Sequence, residues 1–191
     1  LNVKMVINTT LNYSPNFDPK KRNPKQIKFI IFHYTGMKKE KEAINRLISN
    51  KTKVSSHYLI KKSGEILTLI PDLYVAWHAG VSSWQNYKLI NKYSIGIEIS
   101  NAGHDHNYKN FTVKQIKSIL KLSKYLIKKY KIKSKFILGH SDIAPKRKKD
   151  PGEKFPWKVL SKNKIGLWHD LNQKDLFIKR KKEITKFEQK V

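Results

Sequence analysis

The sequence predicts one α/β domain with a central mixed β-sheet flanked by helices. Three observations carry that expectation: an apolar, β-rich run at 27–34 (IKFIIFHY), a period-two stretch at 94–100 (SIGIEIS), and an amphipathic helix that starts at Thr112. Strand-like and helix-like stretches are mixed along 191 residues, a length that suits one domain with a real core, or one domain and a tail.

The elements follow in chain order. Residues 1–26 are polar and hold Pro15, Pro19 and Pro24, which reads as an extended N-terminal arm. The run 27–34 is apolar enough for a central strand buried on both faces. Residues 39–49 read as a short helix. Residues 57–62 and 65–70 flank the turn Lys62-Ser63-Gly64 and read as a hairpin. In 94–100 side chains alternate, so Gly96 and Glu98 share one face and Ile95, Ile97 and Ile99 the other. Thr112 and Gln115 fit a capping box. Ile116, Ile119, Leu120, Ile127 and Tyr130 follow near helical spacing, with lysines on the opposite face. Residues 136–140 read as a short strand ending in His140, and 141–157 as a loop bearing Pro and Gly. Beyond about residue 170 the chain is highly charged, an exposed helix or a loose tail. The expected organisation is thus an arm (1–26), a catalytic domain (27–169) and a basic tail (170–191).

Composition narrows the chemistry. There is no cysteine, which excludes disulfides and thiolate metal sites and leaves nitrogen and oxygen as the ligands for any metal. No apolar run approaches the roughly 20 residues of a membrane span. The start, Leu1-Asn2-Val3-Lys4, has neither an initiating methionine nor an apolar signal core, which fits a chain numbered from inside a precursor. The net charge is +27, from 41 Lys+Arg against 14 Asp+Glu. Such a balance attracts polyanions. Only four of the basic residues are arginine, however: Arg22, Arg46, Arg147 and Arg180. A surface built to grip phosphate uses the two-point guanidinium fork more freely. The excess of Lys, Ile and Asn fits an AT-rich genome. No specific nucleic-acid partner is expected, and the charge serves as a general aid in approaching anionic material. None of these features sets an oligomeric state.

Seven histidines are present, and two of them sit where strands are expected to end. His33 closes the first strand, His140 the last, and Asp150 follows His140 by ten residues. Two imidazoles and a carboxylate suit Zn²⁺, and three protein ligands leave a fourth position for water. Spacing alone leaves two readings open, because a strand-end histidine is also what a hydrogen-bonded structural residue looks like. Asp142 competes with Asp150 as the third ligand.

Six blocks in order resemble the zinc-dependent N-acetylmuramoyl-L-alanine amidases, which share their fold with peptidoglycan recognition proteins. They are IFHYTG at 31–36, VSSHYLI at 54–60, AWHAG at 76–80, SIGIE at 94–98, GHSDIAP at 139–145, and RKKDPG at 147–152 followed by FPW at 155–157. Within the family the chain is most similar to the AmiD branch, envelope enzymes of Gram-negative bacteria, with YSPNF at 13–17 and GLW at 166–168 in support.

The resemblance implies a zinc groove at one sheet face, with His33, His140 and Asp150 as ligands. It implies that Glu98 acts as general base on the water that zinc activates, and that Lys148 stabilises the oxyanion; Arg147 and Lys149 flank Lys148. Tyr34, Trp77, His78 and Arg147 are candidate substrate contacts, and His57 is expected to pack or hydrogen-bond near the site. Some relatives carry a catalytic tyrosine just before the histidine equivalent to His57; here that position is Ser56, which favours machinery based on Glu98. His104, His106 and His169 lie in polar contexts and carry no assigned role. The implied substrate is peptidoglycan or a muropeptide, and the implied setting the bacterial cell envelope or periplasm, with the cytoplasm as the alternative. A non-catalytic peptidoglycan-recognition protein is the rival reading; that class commonly lacks a zinc ligand.

Overall fold

A computed structural model describes residues 7–169 together with Leu171, Lys174, Asp175 and Ile178. Among them the strands are β1 (Thr10–Leu11), β2 (Phe17–Asp18), β3 (Phe29–Tyr34), β4 (Tyr58–Ile60), β5 (Ile66–Thr68), β6 (Val75–Ala76), β7 (Ser83–Trp84), β8 (Tyr87–Lys88), β9 (Ser94–Ile99) and β10 (Ile137–Gly139). The α-helices are α1 (Glu40–Ile48), α2 (Val113–Tyr130), α3 (His140–Ile143) and α4 (Trp157–Lys162). One six-stranded sheet has the order β1-β5-β4-β9-β3-β10. It is mixed: β4, β9, β3 and β10 run parallel to one another, while β5 folds back antiparallel onto β4.

Strands β3 and β9 form the middle of the molecule, and their register builds the site. Ile31 lies opposite Gly96, and His33 opposite Glu98. Period-two alternation then sends the two strands' side chains to different worlds. Ile30, Phe32, Ile95, Ile97 and Ile99 pack beneath α2 against Ile119, Leu122 and Leu126. Helix α2 is fixed at its start by the expected capping box: Gln115 N–H donates to Thr112 Oγ1 (3.1 Å) and Thr112 N–H to Gln115 Oε1 (3.0 Å). On the other sheet face Phe29 and Ile31 join Ala79, Ile90 and Ile143. His33, Gly96 and Glu98 lie on this second face, His33 and Glu98 toward the C-terminal end of their parallel strands.

Several boundaries differ from the sequence-based expectation. His140 does not close a strand; it opens α3, because Asp142 Oδ2 accepts the Gly139 N–H at 2.7 Å and caps a helical turn there. The stretch read as one loop from 141 to 157 therefore begins helical, and α4 starts at its far end. Within the stretch read as an extended arm, β1 pairs parallel with β5 and β2 antiparallel with β6. Ser14, Asn16 and Arg22 of that stretch are buried. The basic stretch 170–191 lies almost wholly outside the described residues. Among the described residues no helix is long and apolar enough to cross a membrane.

Candidate metal centre and catalytic cavity

Three elements deliver three ligand-type atoms to one point. His33 comes from β3, His140 from the first position of α3, and Asp150 from the loop that returns to pair its carbonyl with Ser141 N–H (2.8 Å). His33 Nδ1 and His140 Nδ1 lie 2.9 Å apart, and each lies 3.0 Å from Asp150 Oδ2. All three residues are buried. This is the one cluster among the described residues whose His and carboxylate atoms could hold a metal ion. Asp142 is not part of it, since its carboxylate is spent on the cap of α3.

The donor set fits a cation. Ligand atoms about 2.0–2.2 Å from a tetrahedral metal stand roughly 3.3 Å from one another, close to the observed triangle. His140 Nε2 faces the Ala79 carbonyl at 3.1 Å and must carry its proton to bond there. His140 Nδ1 is then a lone pair aimed at Asp150. One shared proton can bridge a single edge of this triangle, whereas a metal ion satisfies all three corners.

Glu98 and Lys148 line the same cavity of about 520 Å³, together with the three clustered residues, Arg46 and Asp105. Glu98 Oε2 is shielded from solvent and has no hydrogen-bond partner. Burial, and after it the negative charge of Asp150, pushes the Glu98 carboxyl well above the ordinary carboxylate range, while Lys148 pulls the other way. A carboxyl so placed can take and return a proton.

The other expected site residues divide. Tyr34 and Trp77 line the cavity. Trp77 Nε1–H donates to Asp18 Oδ1 (2.7 Å), which fixes its indole. Arg147 also lines it, but its Nη2 donates to the carbonyls of Ala79 and Val81, so part of the guanidinium ties down a loop. His78 is more than a groove wall: its Nδ1 stands 3.0 Å from His33 Nε2 and its Nε2 2.9 Å from Ser94 Oγ. His57 is buried; its Nδ1 accepts the Gly96 N–H (3.0 Å) and its Nε2 faces the Tyr74 carbonyl (3.1 Å). Two contacts had no signal in the sequence. Arg22 reaches over His57 and donates to the Asp72 carbonyl. His104, unassigned above, stands between the Tyr34 hydroxyl (2.9 Å) and Glu153 (2.8 Å). Sequence separations of 35 residues between Arg22 and His57 and 70 between Tyr34 and His104 hide both.

The buried imidazoles make acid stability a measurable property. Burial, and then the Arg22 charge, brings His57 down from 6.5 to about 3. An unfolded chain gains a proton below about pH 6.5 that the folded chain refuses. Stability contributed by the neutral ring is therefore complete above pH 6.5 and is lost as pH falls toward 3, by ~1.4 kcal/mol per pH unit for this one group. His33, brought down to about 4 chiefly by burial, acts in the same direction. The thermal midpoint of the metal-free protein should fall between pH 6.5 and 4.5, and fall less steeply in His57→Gln. A midpoint flat over that range would contradict the assignment.

Comparison with known proteins adds a second line of support. The profile of the family described as N-acetylmuramoyl-L-alanine amidase matches residues 23–153. N-acetylmuramoyl-L-alanine amidase AmiD of Escherichia coli (strain K12) is 35% identical over 165 residues, covering 80% of this chain and 59% of that protein. The 1,6-anhydro-N-acetylmuramyl-L-alanine amidase AmpD of Haemophilus influenzae is 35% identical over 162 residues, covering 75% of this chain and 85% of that protein. Among solved structures, AmiD from E. coli in complex with anhydro-N-acetylmuramic acid-L-Ala-D-gamma-Glu-L-Lys aligns with a TM-score of 0.70 at 36% identity, over 76% of this chain and 60% of that one. AmpDh3 from Pseudomonas aeruginosa in complex with anhydromuramic pentapeptide aligns with a TM-score of 0.71 at 31% identity, over 89% of this chain and 68% of that one. The chain thus spans 59% of the length of the E. coli AmiD that it matches.

Proposed function

The chain belongs to the N-acetylmuramoyl-L-alanine amidase family, and from that membership we propose that it is a zinc-dependent hydrolase of the amide bond between N-acetylmuramic acid, or its anhydro form, and L-alanine. The substrate is peptidoglycan or a muropeptide released from it. The observation that carries this reading is the meeting, in one cavity, of a two-histidine, one-carboxylate triangle with a lysine and a carboxylate whose shielded Oε2 has no partner. Fold likeness alone would not specify a reaction.

In this reading His33, His140 and Asp150 hold the zinc ion. Bound there, zinc would supply Lewis acidity and bring the pKa of water down to about 7. Glu98 takes a proton from the attacking water as its oxygen joins the lactyl carbonyl carbon. The Lys148 ammonium faces the negative charge that develops on the carbonyl oxygen. Glu98 then returns its proton to the alanine nitrogen as the C–N bond breaks, so each turnover leaves Glu98 as it began. Tyr34, Trp77, His78 and Arg147 are proposed to bound the groove for sugar and peptide. The catalytic unit is proposed to span 27–169, with 1–26 as an N-terminal arm and 170–191 as a basic tail. Similarity to E. coli AmiD supports an envelope or periplasmic setting, with the cytoplasm as the alternative that cell fractionation would distinguish.

Incubation with purified anhydromuropeptides followed by mass spectrometry tests the reaction. The expected products are the free anhydro sugar acid and a peptide beginning at L-alanine, their masses summing to the substrate plus one water. Substrate that is bound but returned intact would favour a recognition protein instead.

A further inference from the structure

We infer that His78 and Ala79, pinned by Asn91, set the proton positions of both cluster histidines, so that His33 Nδ1 and His140 Nδ1 face the centre as lone pairs before any metal arrives. The inference rests on the reading of those two residues as zinc ligands. It assigns His78 a positioning role at the centre, beside the groove contact proposed above.

The assignment follows from counting protons along a buried chain. Ser94 Oγ lies 2.8 Å from the Ile90 carbonyl, which can only accept, so the single hydroxyl proton of Ser94 goes there. Ser94 Oγ must then accept from His78 Nε2, 2.9 Å away, which places the His78 proton on Nε2. His78 Nδ1 is left as an acceptor for the proton on His33 Nε2 at 3.0 Å. His33 Nδ1 is therefore the lone pair. Ala79 does the same for the second ring, because its carbonyl accepts from His140 Nε2 at 3.1 Å. One dipeptide thus orients two imidazoles that lie 107 residues apart in the chain.

Two further features hold the device in place. Asn91 Oδ1 accepts both the His78 and the Ala79 backbone N–H, at 3.2 and 2.8 Å. Gly96, in the middle of β9, provides the seat: a Cβ there would stand 2.4 Å from His78 Cγ, so no other residue leaves the ring where it is. A glycine inside a central strand weakens that strand, and close approach by the His78 ring is the reason for one here.

Long-range ¹H–¹⁵N spectra of the histidine rings in metal-free protein at pH 8 test the inference directly. Both His33 and His140 should carry their protons on Nε2; a proton on Nδ1 of His33 would overturn it. Zinc affinity, measured against a chromophoric chelator, gives a second test. His78→Phe keeps the ring but offers no acceptor, and should weaken zinc by about 10–100-fold, the usual loss on removing such an outer partner. His78→Gln restores an acceptor for His33 Nε2–H and should bind within a few-fold of the parent. A folded His78→Phe with parental affinity would overturn the inference. Should His78→Phe fail to fold, Ser94→Ala frees the His78 tautomer at small cost in volume and should weaken zinc in the same sense; parental affinity would count against us. A parent chain that binds no zinc would instead sink the metal reading, and leave the ring spectra to decide the proton positions.

Discussion

Glu98→Gln should keep one zinc per chain and lose about 10²- to 10⁴-fold in kcat, the range for removing a positioned general base. The change is nearly isosteric, and Glu98 Oε2 has no hydrogen-bond partner to lose. Its neighbours along β9, Ile97 and Ile99, pack on the opposite sheet face and do not sense the change. What the amide lacks is the ability to take up a proton. The carboxyl suits that task because burial and the Asp150 charge push its pKa well up. The basic limb of the pH–rate profile should be affected less than the acid limb, where Glu98 must be ionised to act. Unchanged kcat in a zinc-replete variant would remove Glu98 from the mechanism.

Asp150→Ala should have the larger effect. It takes away the one carboxylate corner of the triangle, leaving two imidazoles 2.9 Å apart. Stoichiometric zinc should be lost. With it goes the several kcal/mol of transition-state stabilisation that a Lewis-acidic metal supplies, about 10³-fold or more in rate. A side effect separates this from general damage. Asp150 is the charged neighbour that raises Glu98, so with metal stripped from both proteins the Glu98 pKa should lie lower in the variant than in the parent. A ¹³C carboxyl titration reads that shift. A variant that kept zinc and turnover would return the third-ligand role to another carboxylate.

The sequence made some of this legible for reasons that are local. A six-residue apolar strand and a period-two strand announce themselves, because each is patterned by the faces it will cover. The same alternation placed Glu98 and Gly96 away from Ile95, Ile97 and Ile99, and that separation stands in the sheet. The capping box at Thr112 is a four-residue signal and was equally readable. What was hidden depends on tertiary closure. His78 sits in a loop, and only folding brings its ring against His33 and Ser94. Arg22 lies in a proline-bearing stretch with no pattern, yet it is buried over His57. His140 read as a strand end because the residues before it are apolar; Asp142, two positions later, turns the backbone helical. Strands of two residues, such as β1, β2 and β6, are too short to leave any period in the sequence.

The central claim is that amide hydrolysis runs through a metal held by His33, His140 and Asp150. The most direct test strips the protein with a chelator, confirms by thermal melting that it remains folded, and returns zinc in steps while hydrolysis of an anhydromuropeptide is followed by mass spectrometry. The account predicts no hydrolysis without metal, and activity that rises linearly and stops at one zinc per chain. Full hydrolysis by the metal-free protein, or zinc bound at one per chain with the amide bond left intact, would contradict it.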